Sequence, residues 1–529
     1  MKRMGKGSTM ADIVLINPRF EVSYWGMEHI LPFMGKRANL PVACLPLLAA
    51  LTPTEHTVTL MDENVEAINY ERCQKADIVG ITGMSVQRFR MKEILTELKR
   101  RGVFTVVGGP LVTVHEDYFE GLADAIFIGE AEQTWPQFLK EWQQGLQQFR
   151  YEQLEKSDMS IVPVPRFDLL KMKHYLFGSL QFSRGCPFQC EFCDIIVTFG
   201  RKPRIKTSAQ VIAELEAMLA EKANIVFVVD DNLIGNKKAI KDVLRDIIAW
   251  QHKKGYPLTF FTEASIDLAD DAELMDLLVE ANFLSVFIGI ETPNEASLRE
   301  TKKYQNVRTG GTLIEKVHRV QDAGLEVWCG MILGFDHDDE TIFDAQREFL
   351  RDARISTAMV GMLYAIRKTP LHERLAAEGR LDNADEPEFG TNVIPLKISR
   401  EALLEGYVAV MDDLYAPDAF FERLDALFID GKLDMGRGRQ RYWKSHLGRM
   451  LSTQGLFLGQ FLGLYTRMMS GIPEKHLRRY YTKRIWNLMK KRPDPGLWLF
   501  YVIKCAQHYH AHTMARQMAS GRSPVYNSY

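Results

Sequence analysis

Apolar residues in the first part of the chain gather in short runs: ADIVLINP, HTVTLMDEN, ADIVGITGMS, FTVVGGP and DAIFIGEAE. Between the third and fourth runs, RFRMKEILTELKRRG repeats its apolar positions every three to four residues, the period of a helix with one buried face. Short apolar strands separated by helices predict a parallel sheet covered on both faces, an α/β doubly wound domain over residues 11–145. Ligands of such sheets bind at the carboxyl ends of the strands. Those ends are Thr82-Gly83-Met84-Ser85, Gly108-Gly109-Pro110 and Gly129-Glu130. The glycines either let a bulky ligand approach the backbone or simply make tight βα turns. Pro163, Pro165 and several charges break the periodicity over a linker, residues 146–175.

The rhythm resumes with GSLQFS (178–183), NIVFVVDD (224–231), LTFFTEA (258–264), LSVFIGIET (284–292), EVWCGMILG (326–334) and AMVGMLYA (358–365). Helical patterns such as SAQVIAELEAMLAEK lie between them. Six βα units are too few for an eight-stranded barrel and predict a (βα)6 partial barrel over 176–395, with its chemistry at the C-terminal rim. Strand signals then fade, and residues 396–529 read as a helical domain rich in aromatics and arginine.

Composition adds one asymmetry. The 529 residues are 46% hydrophobic and 25% charged, ordinary for globular protein. The start has no apolar core of the kind a secretory signal needs, and stretches such as 455–464 and 497–503 are too short to span a bilayer. A cytoplasmic location is expected. From Lys432 to Tyr529 there are 18 Lys/Arg and three acids (Asp434, Glu474, Asp494), a surplus of fifteen. With a net charge of −2 overall, the rest of the chain is near −17. Such a tail suits an anionic partner, namely nucleic acid, anionic lipid or the acidic part of the same protein.

Three of the seven cysteines crowd into eight residues, Cys186-Pro-Phe-Gln-Cys190-Glu-Phe-Cys193. The other four (Cys44, Cys73, Cys329, Cys505) are scattered and read as small buried apolar groups. Cytosolic thiols stay reduced, so clustering points to metal or redox work. A structural zinc wants four ligands, and the nearby sequence offers no fourth Cys or His. Three thiolates suit a four-iron, four-sulfur cluster with one iron open to a small molecule. Zinc completed by a distant histidine is the alternative. His508-x-His510-x-His512 sits in a helical pattern, where i and i+2 diverge, and reads as structural.

Cys186, Cys190 and Cys193 match the C-x3-C-x2-C signature of radical S-adenosylmethionine (SAM) enzymes, which it resembles also in following the first strand of a (βα)6 pattern. The resemblance implies a [4Fe-4S] cluster whose open iron chelates SAM, one-electron cleavage of SAM, and hydrogen abstraction from an unactivated carbon. It implies SAM contacts at Gly330, Ile332 and Gly334 (G-x-I-x-G), at Glu291, and at Glu263. Asp230 and Asp231 stand where many members carry Gly-Gly-Glu, a departure. A doubly wound domain ahead of such a barrel resembles the cobalamin-binding domain of B12-dependent radical SAM proteins. That likeness implies corrinoid contacts at Thr82, Ser85, Gly108, Gly109, Gly129 and Glu130. The Asp-x-His-x-x-Gly motif is absent, since Asp62-Glu63-Asn64 carries no histidine; His115 reads as a surface or helix-start residue. Cobalamin beside the cluster implies methyl transfer to carbon, with two SAM molecules per cycle.

Tyr24-Trp25-Gly26-Met27-Glu28-His29, Phe33-Met34-Gly35-Lys36-Arg37-Ala38 and the helical tail resemble a subgroup that includes the hopanoid C-2 methylases. The resemblance implies a methyl group added to C-2 of the A ring of a bacterial triterpenoid lipid. It also implies a reductant such as flavodoxin or ferredoxin. The basic tail either lies on an anionic membrane at its cytoplasmic face or packs on the acidic barrel. No nucleic acid is expected, because the second cysteine cluster and small β-barrel of tRNA methylthiotransferases are missing. The alternatives are a tetrapyrrole or other natural-product scaffold, cobalamin-assisted radical cyclisation, or a non-catalytic corrinoid or Fe–S sensor.

Overall fold

The structure is a computed structural model that describes residues 10–308 and 310–521. Residues 1–9, on which the expectation of no secretory signal partly rests, and residues 522–529 of the helical domain lie outside the described residues. The chain forms two compact units, neither continuous in sequence. Of the described residues, the first contains those of 40–239 with 10–21 and 366–374; the second contains those of 240–365 and 375–521 with 22–39.

In the first unit, β1 (Asp12–Asn17), β2 (Thr57–Asp62), β3 (Ile78–Thr82), β4 (Thr105–Gly108), β5 (Ala125–Ile128) and β6 (Arg150–Glu152) form one parallel sheet in the order 2-1-3-4-5-6. Period-two alternation builds its two cores. Val14, Ile16, Val79, Ile81 and Val107 pack on one face with Met91, Ile94 and Leu98 of the helix Arg88–Arg100. Ile13, Leu15, Ile78, Val106 and Phe127 pack on the other with Trp135 and Phe138. The order reverses between β1 and β3, and such a switch opens a crevice outside the strands' carboxyl ends. Strand β6 falls inside the stretch expected to be linker. Only Tyr151 of its three residues is buried, too little for a periodic signal.

The same unit holds β7 (Gly178–Leu180), paired in parallel with β10 (Ile225–Val228), and a small antiparallel ladder of β8 (Ser183–Arg184) with β9 (Arg204–Ile205). The cysteine run lies between β8 and β9.

In the second unit, β11 (Thr259–Glu263), β12 (Phe283–Glu291), β13 (Glu326–Leu333) and β14 (Ala358–Met362) pair in parallel, each with the next. All six strands expected from residue 178 onward therefore form, β7 and β10 in one unit and β11–β14 in the other. Beyond them the regular elements among the described residues are helices, apart from a bridge between Leu381 and Val393. Residues 22–39 pack with these late helices: Tyr24 lies 5.7 Å from the Tyr415 ring, and Phe33 lies 5.9 Å from Tyr509.

Candidate functional site

The cysteine loop is fixed at its base by buried charge. Arg184 in β8 pairs with Glu130 (3.0 Å) and Glu132 (2.6 Å), and Arg204 in β9 pairs with Glu130 (2.8 Å). Both Glu130 oxygens are occupied, the second accepting the Ser157 N–H at 2.6 Å. Glu130 thus grips both strands that flank the cysteines. The geometry gives it a clamp's role, not that of a free strand-end ligand, because protein donors already surround its carboxylate. Its pKa is lowered: burial opposes ionisation, but the two guanidiniums and the Ser157 N–H outweigh it.

Asp230 and Asp231 finish the base. Asp230 accepts from the Phe182 N–H (2.7 Å), the Ser183 N–H (2.8 Å) and the Ser183 hydroxyl (2.6 Å); Asp231 accepts from the Gly185 N–H (2.7 Å). Burial pushes Asp230 up to about 7 and Asp231 to about 6. At Gly185 φ is +94°, and a Cβ would stand 2.9 Å from Gly200 O and 3.0 Å from Lys202 O, so only glycine lets the loop close. Both aspartates, where the family pattern differs, hold backbone. Their partners lie 46 to 48 residues away in sequence, which hid this role from the sequence.

Among the described residues none of the three loop cysteines forms a disulfide, and Cys190 is buried. Asn232 Nδ2 approaches Cys186 Sγ at 3.9 Å. Among the described residues no three His, Cys, Asp or Glu side chains converge where one metal ion could sit. A cubane would place each thiolate on a different iron.

The residues expected to border a corrinoid lie in the same unit. Thr82, Gly108 and Gly129 end or follow β3, β4 and β5. Gly109 has φ +102°, and a Cβ there would meet Thr82 Oγ1 at 2.4 Å and Gly83 N at 3.2 Å. Thr113 accepts the Gly129 N–H (3.0 Å) and donates to Gly109 O (3.0 Å), tying two rim turns together. Ser85 is exposed, and Met84 beside it is 52% exposed. A low rim of glycines with an open hydroxyl and an apolar side chain fits a broad, flat macrocycle. The short helix Ile195–Thr198, just after Cys193, packs on Pro110–Val114, which starts at Gly109. Cysteine loop and rim are therefore neighbours. Asp62 is committed to the Asn64 N–H (2.9 Å) and the Tyr175 hydroxyl (2.8 Å), and His115 lies 3.4 Å from Asp117.

The remaining candidates lie in the second unit. Glu291 ends β12 at a bulge with φ +66°, rare for a residue with a side chain. It pairs with Lys303 Nζ at 2.5 Å, and buried Asn306 holds the bulge by donating to Gly289 O and Ile290 O. Gly289 pairs with Gly330 across the β12–β13 register; a Cβ on Gly289 would meet the Glu291 carboxylate and Lys303 Nζ (2.8 Å), and one on Gly330 would meet the Phe287 ring at 3.1 Å, so the two glycines let these side chains lie over the strands. Gly334 belongs to packing: a Cβ there would meet Leu403 at 2.8 Å, and its N–H donates to buried Asp338 (3.1 Å). Ile332 is buried, its carbonyl bonded to Gln346. Glu263 pairs in register with Phe287.

Sequence reasoning missed the face below this rim. Phe287 pairs with Trp328 in register; Trp25 lies 5.4 Å from Phe287, and Phe261 lies 5.6 Å from Trp328. Phe261, Phe287 and Trp328 are only half-buried although they sit in strands, and Trp25 is 41% exposed. Beneath them Lys504 pairs with Glu326 (2.6 Å) and lies 4.7 Å from the Trp328 ring. The histidines are structural: His508 accepts from the Tyr481 hydroxyl (2.7 Å), His508 and His512 both donate to Tyr415 O, and His510 donates to Ser23 O (2.9 Å).

Family comparisons agree with this layout. Residues 180–349 match the Radical SAM superfamily, residues 41–139 the B12 binding domain, and residues 369–523 a domain of unknown function, DUF4070. An uncharacterized methyltransferase of Synechocystis is 40% identical over 79% of this chain and 78% of its own. The hopanoid C-2 methylase of Rhodopseudomonas palustris is 33% identical over 79% of this chain and 80% of its own. A bacteriochlorophyllide d C-8(2)-methyltransferase of Chlorobaculum tepidum is 24% identical over 69% and 82%. Among solved structures, the radical SAM methyltransferase TsrM of Kitasatospora setae, with cobalamin and a [4Fe-4S] cluster bound, superposes with a TM-score of 0.62 at 16% identity. That likeness, which is one of fold, covers 83% of this chain and 99% of TsrM.

Proposed function

The chain belongs to the cobalamin-binding radical SAM methyltransferases, and from that premise we propose that it methylates C-2 of the A ring of a hopanoid. Its cofactors are a [4Fe-4S] cluster, SAM and cobalamin. When bound, these supply a carbon-centred radical and a transferable methyl group.

The observation that carries the substrate is the 33% identity to the hopanoid C-2 methylase over four fifths of that protein. The half-buried Phe261, Phe287 and Trp328 and the exposed Trp25 support it, since they offer aromatic surface to a saturated ring system. In this reading Cys186, Cys190 and Cys193 hold the cluster. Thr82, Ser85, Gly108, Gly109 and Gly129 border the corrinoid. Glu263, Glu291 and Gly330 face SAM, with Lys303 orienting Glu291, and Ile332 and Gly334 shape the strand behind them. Glu130, Asp230 and Asp231 act one step back, by fixing the cysteine loop. A one-electron donor such as flavodoxin or ferredoxin is required. Peripheral contact with the cytoplasmic face of an anionic membrane places the enzyme beside its lipid.

A second reading, a tetrapyrrole substrate, is favoured by the 24% identity to the bacteriochlorophyllide methyltransferase. Lipid mass spectrometry of a hopanoid-producing host with and without the gene separates the two. Gene-dependent 2-methylhopanoid is expected; unchanged lipids alongside a methylated tetrapyrrole would transfer the assignment.

A further inference from the structure

The helix Leu447–Gly471 runs for 25 residues yet buries only Phe461, Leu464 and Met468. Leu447, Leu451, Leu458 and Leu462 are 62%, 68%, 38% and 52% exposed. At about 100° per residue these four fall within an arc of roughly 60°, so they form one stripe. Gly455, Gly459 and Gly463 run beside it, and a Cβ on any of them would meet nothing within 4 Å. Exposed leucines and interior glycines both weaken a helix that faces only water. This sequence suits a helix whose outer face meets an apolar phase.

Charge decides which phase. The helix carries Arg449 and Arg467 and no acid, and the following helix Lys475–Lys491 carries none either. A groove lined by Lys475, Arg478, Arg479 and Lys483 adjoins the stripe's end, and Trp486 stands 58% exposed on that second helix. A second copy of the chain docked on this face would set these cations against their own kind, with no carboxylate on either helix to neutralise them. An anionic lipid surface supplies the missing charge. No helix among the described residues is long and apolar enough to cross a membrane, so the contact is one that lies in the interface plane.

We propose that the leucine stripe of helix 447–471 enters the headgroup–acyl boundary of an anionic bilayer while Lys475, Arg479 and Lys483 engage its phosphates. The proposal deepens the lipid-substrate reading by naming the surface that meets the membrane. The test is flotation of the reconstituted full chain with vesicles of phosphatidylglycerol and phosphatidylcholine, against phosphatidylcholine alone. Binding to the anionic vesicles is expected to be about tenfold tighter and to weaken as salt rises. L451E/L458E, at positions 68% and 38% exposed, is expected to lose about tenfold in vesicle binding while keeping its iron content and helical circular dichroism. Equal flotation of variant and wild type, no flotation, or a dimer in light scattering that the double substitution splits would overturn the proposal. Methylation of a detergent-dispersed hopanoid by both proteins without any flotation would remove this surface and leave the substrate reading. Flotation without methylation of any hopanoid would do the reverse.

Discussion

The two strand-end rims of this chain are built in opposite ways. In the first unit the acids at the base of the cysteine loop are occupied by the protein: Glu130 by Arg184, Arg204 and Ser157, Asp230 by Phe182 and Ser183, and Asp231 by Gly185. In the second unit one rim acid, Glu291, sits in strained backbone with a lysine partner, over half-buried aromatic rings. The first rim is built to hold a loop still. The second presents a lysine-bound carboxylate and half-buried aromatic rings. A loop that positions a large inorganic group needs rigidity at its base, whereas a surface that receives small molecules presents polar and apolar side chains to them.

Substitutions in the two rims should therefore fail differently. The largest effect is expected at Cys190→Ala, which removes a thiolate from the proposed cluster. Bound iron and 5′-deoxyadenosine formation should fall to background while circular dichroism stays native. Next comes Glu130→Ala, which leaves Arg184 and Arg204 without their shared carboxylate. Stripping one partner from a buried ion pair costs about 3–5 kcal/mol. Urea unfolding should show that loss, and reconstituted iron should drop with it. Glu130→Gln keeps the shape and should recover part of both; unchanged stability in Glu130→Ala would refute the clamp.

Acid acts with opposite sign on the buried histidines and on Asp230. Burial holds His510 down to about 4 and His508 well below its ordinary value, so these two side chains bind fewer protons in the native chain than in the unfolded one. Stability from these histidines is fully present above pH 6.5 and is lost as pH falls toward 4, by about 3 kcal/mol for His510 alone. Asp230, pushed up to about 7, acts oppositely: the native first unit binds a proton there before the unfolded chain does, so acidification from 7 toward 4 favours it. Hydrogen exchange at pH 7.5 and 5, corrected for intrinsic rates, should show the helix Pro495–Ala519 losing protection first. Uniform loss would remove the distinction.

The smallest effect is expected at Lys303→Met. Freeing Glu291 should raise KM for SAM about tenfold, in keeping with a charged hydrogen bond worth about 1.5–3 kcal/mol, while iron content and stability hold. A fall in iron content instead would place Lys303 in the framework.

These contrasts also show what the sequence could carry. Strand positions and the C-x3-C-x2-C spacing are local, so both rims were legible as positions. What each rim residue bonds to is not local. Glu130 meets Arg184 and Arg204 across 54 and 74 residues, and Trp25 meets Phe287 from far away in the sequence. Gly334 has the right spacing for a ligand contact, yet its missing Cβ makes room for Leu403, a helix residue that no strand pattern announces.

The most direct test is to incubate reconstituted, reduced protein with SAM bearing a trideuterated methyl group and an unmethylated hopanoid, then to read the lipid by mass spectrometry. The account predicts 5′-deoxyadenosine together with a hopanoid carrying one trideuteromethyl group at C-2, and neither from Cys190→Ala. A labelled hopanoid from the cysteine variant, or 5′-deoxyadenosine from the wild type with no labelled lipid, would contradict it.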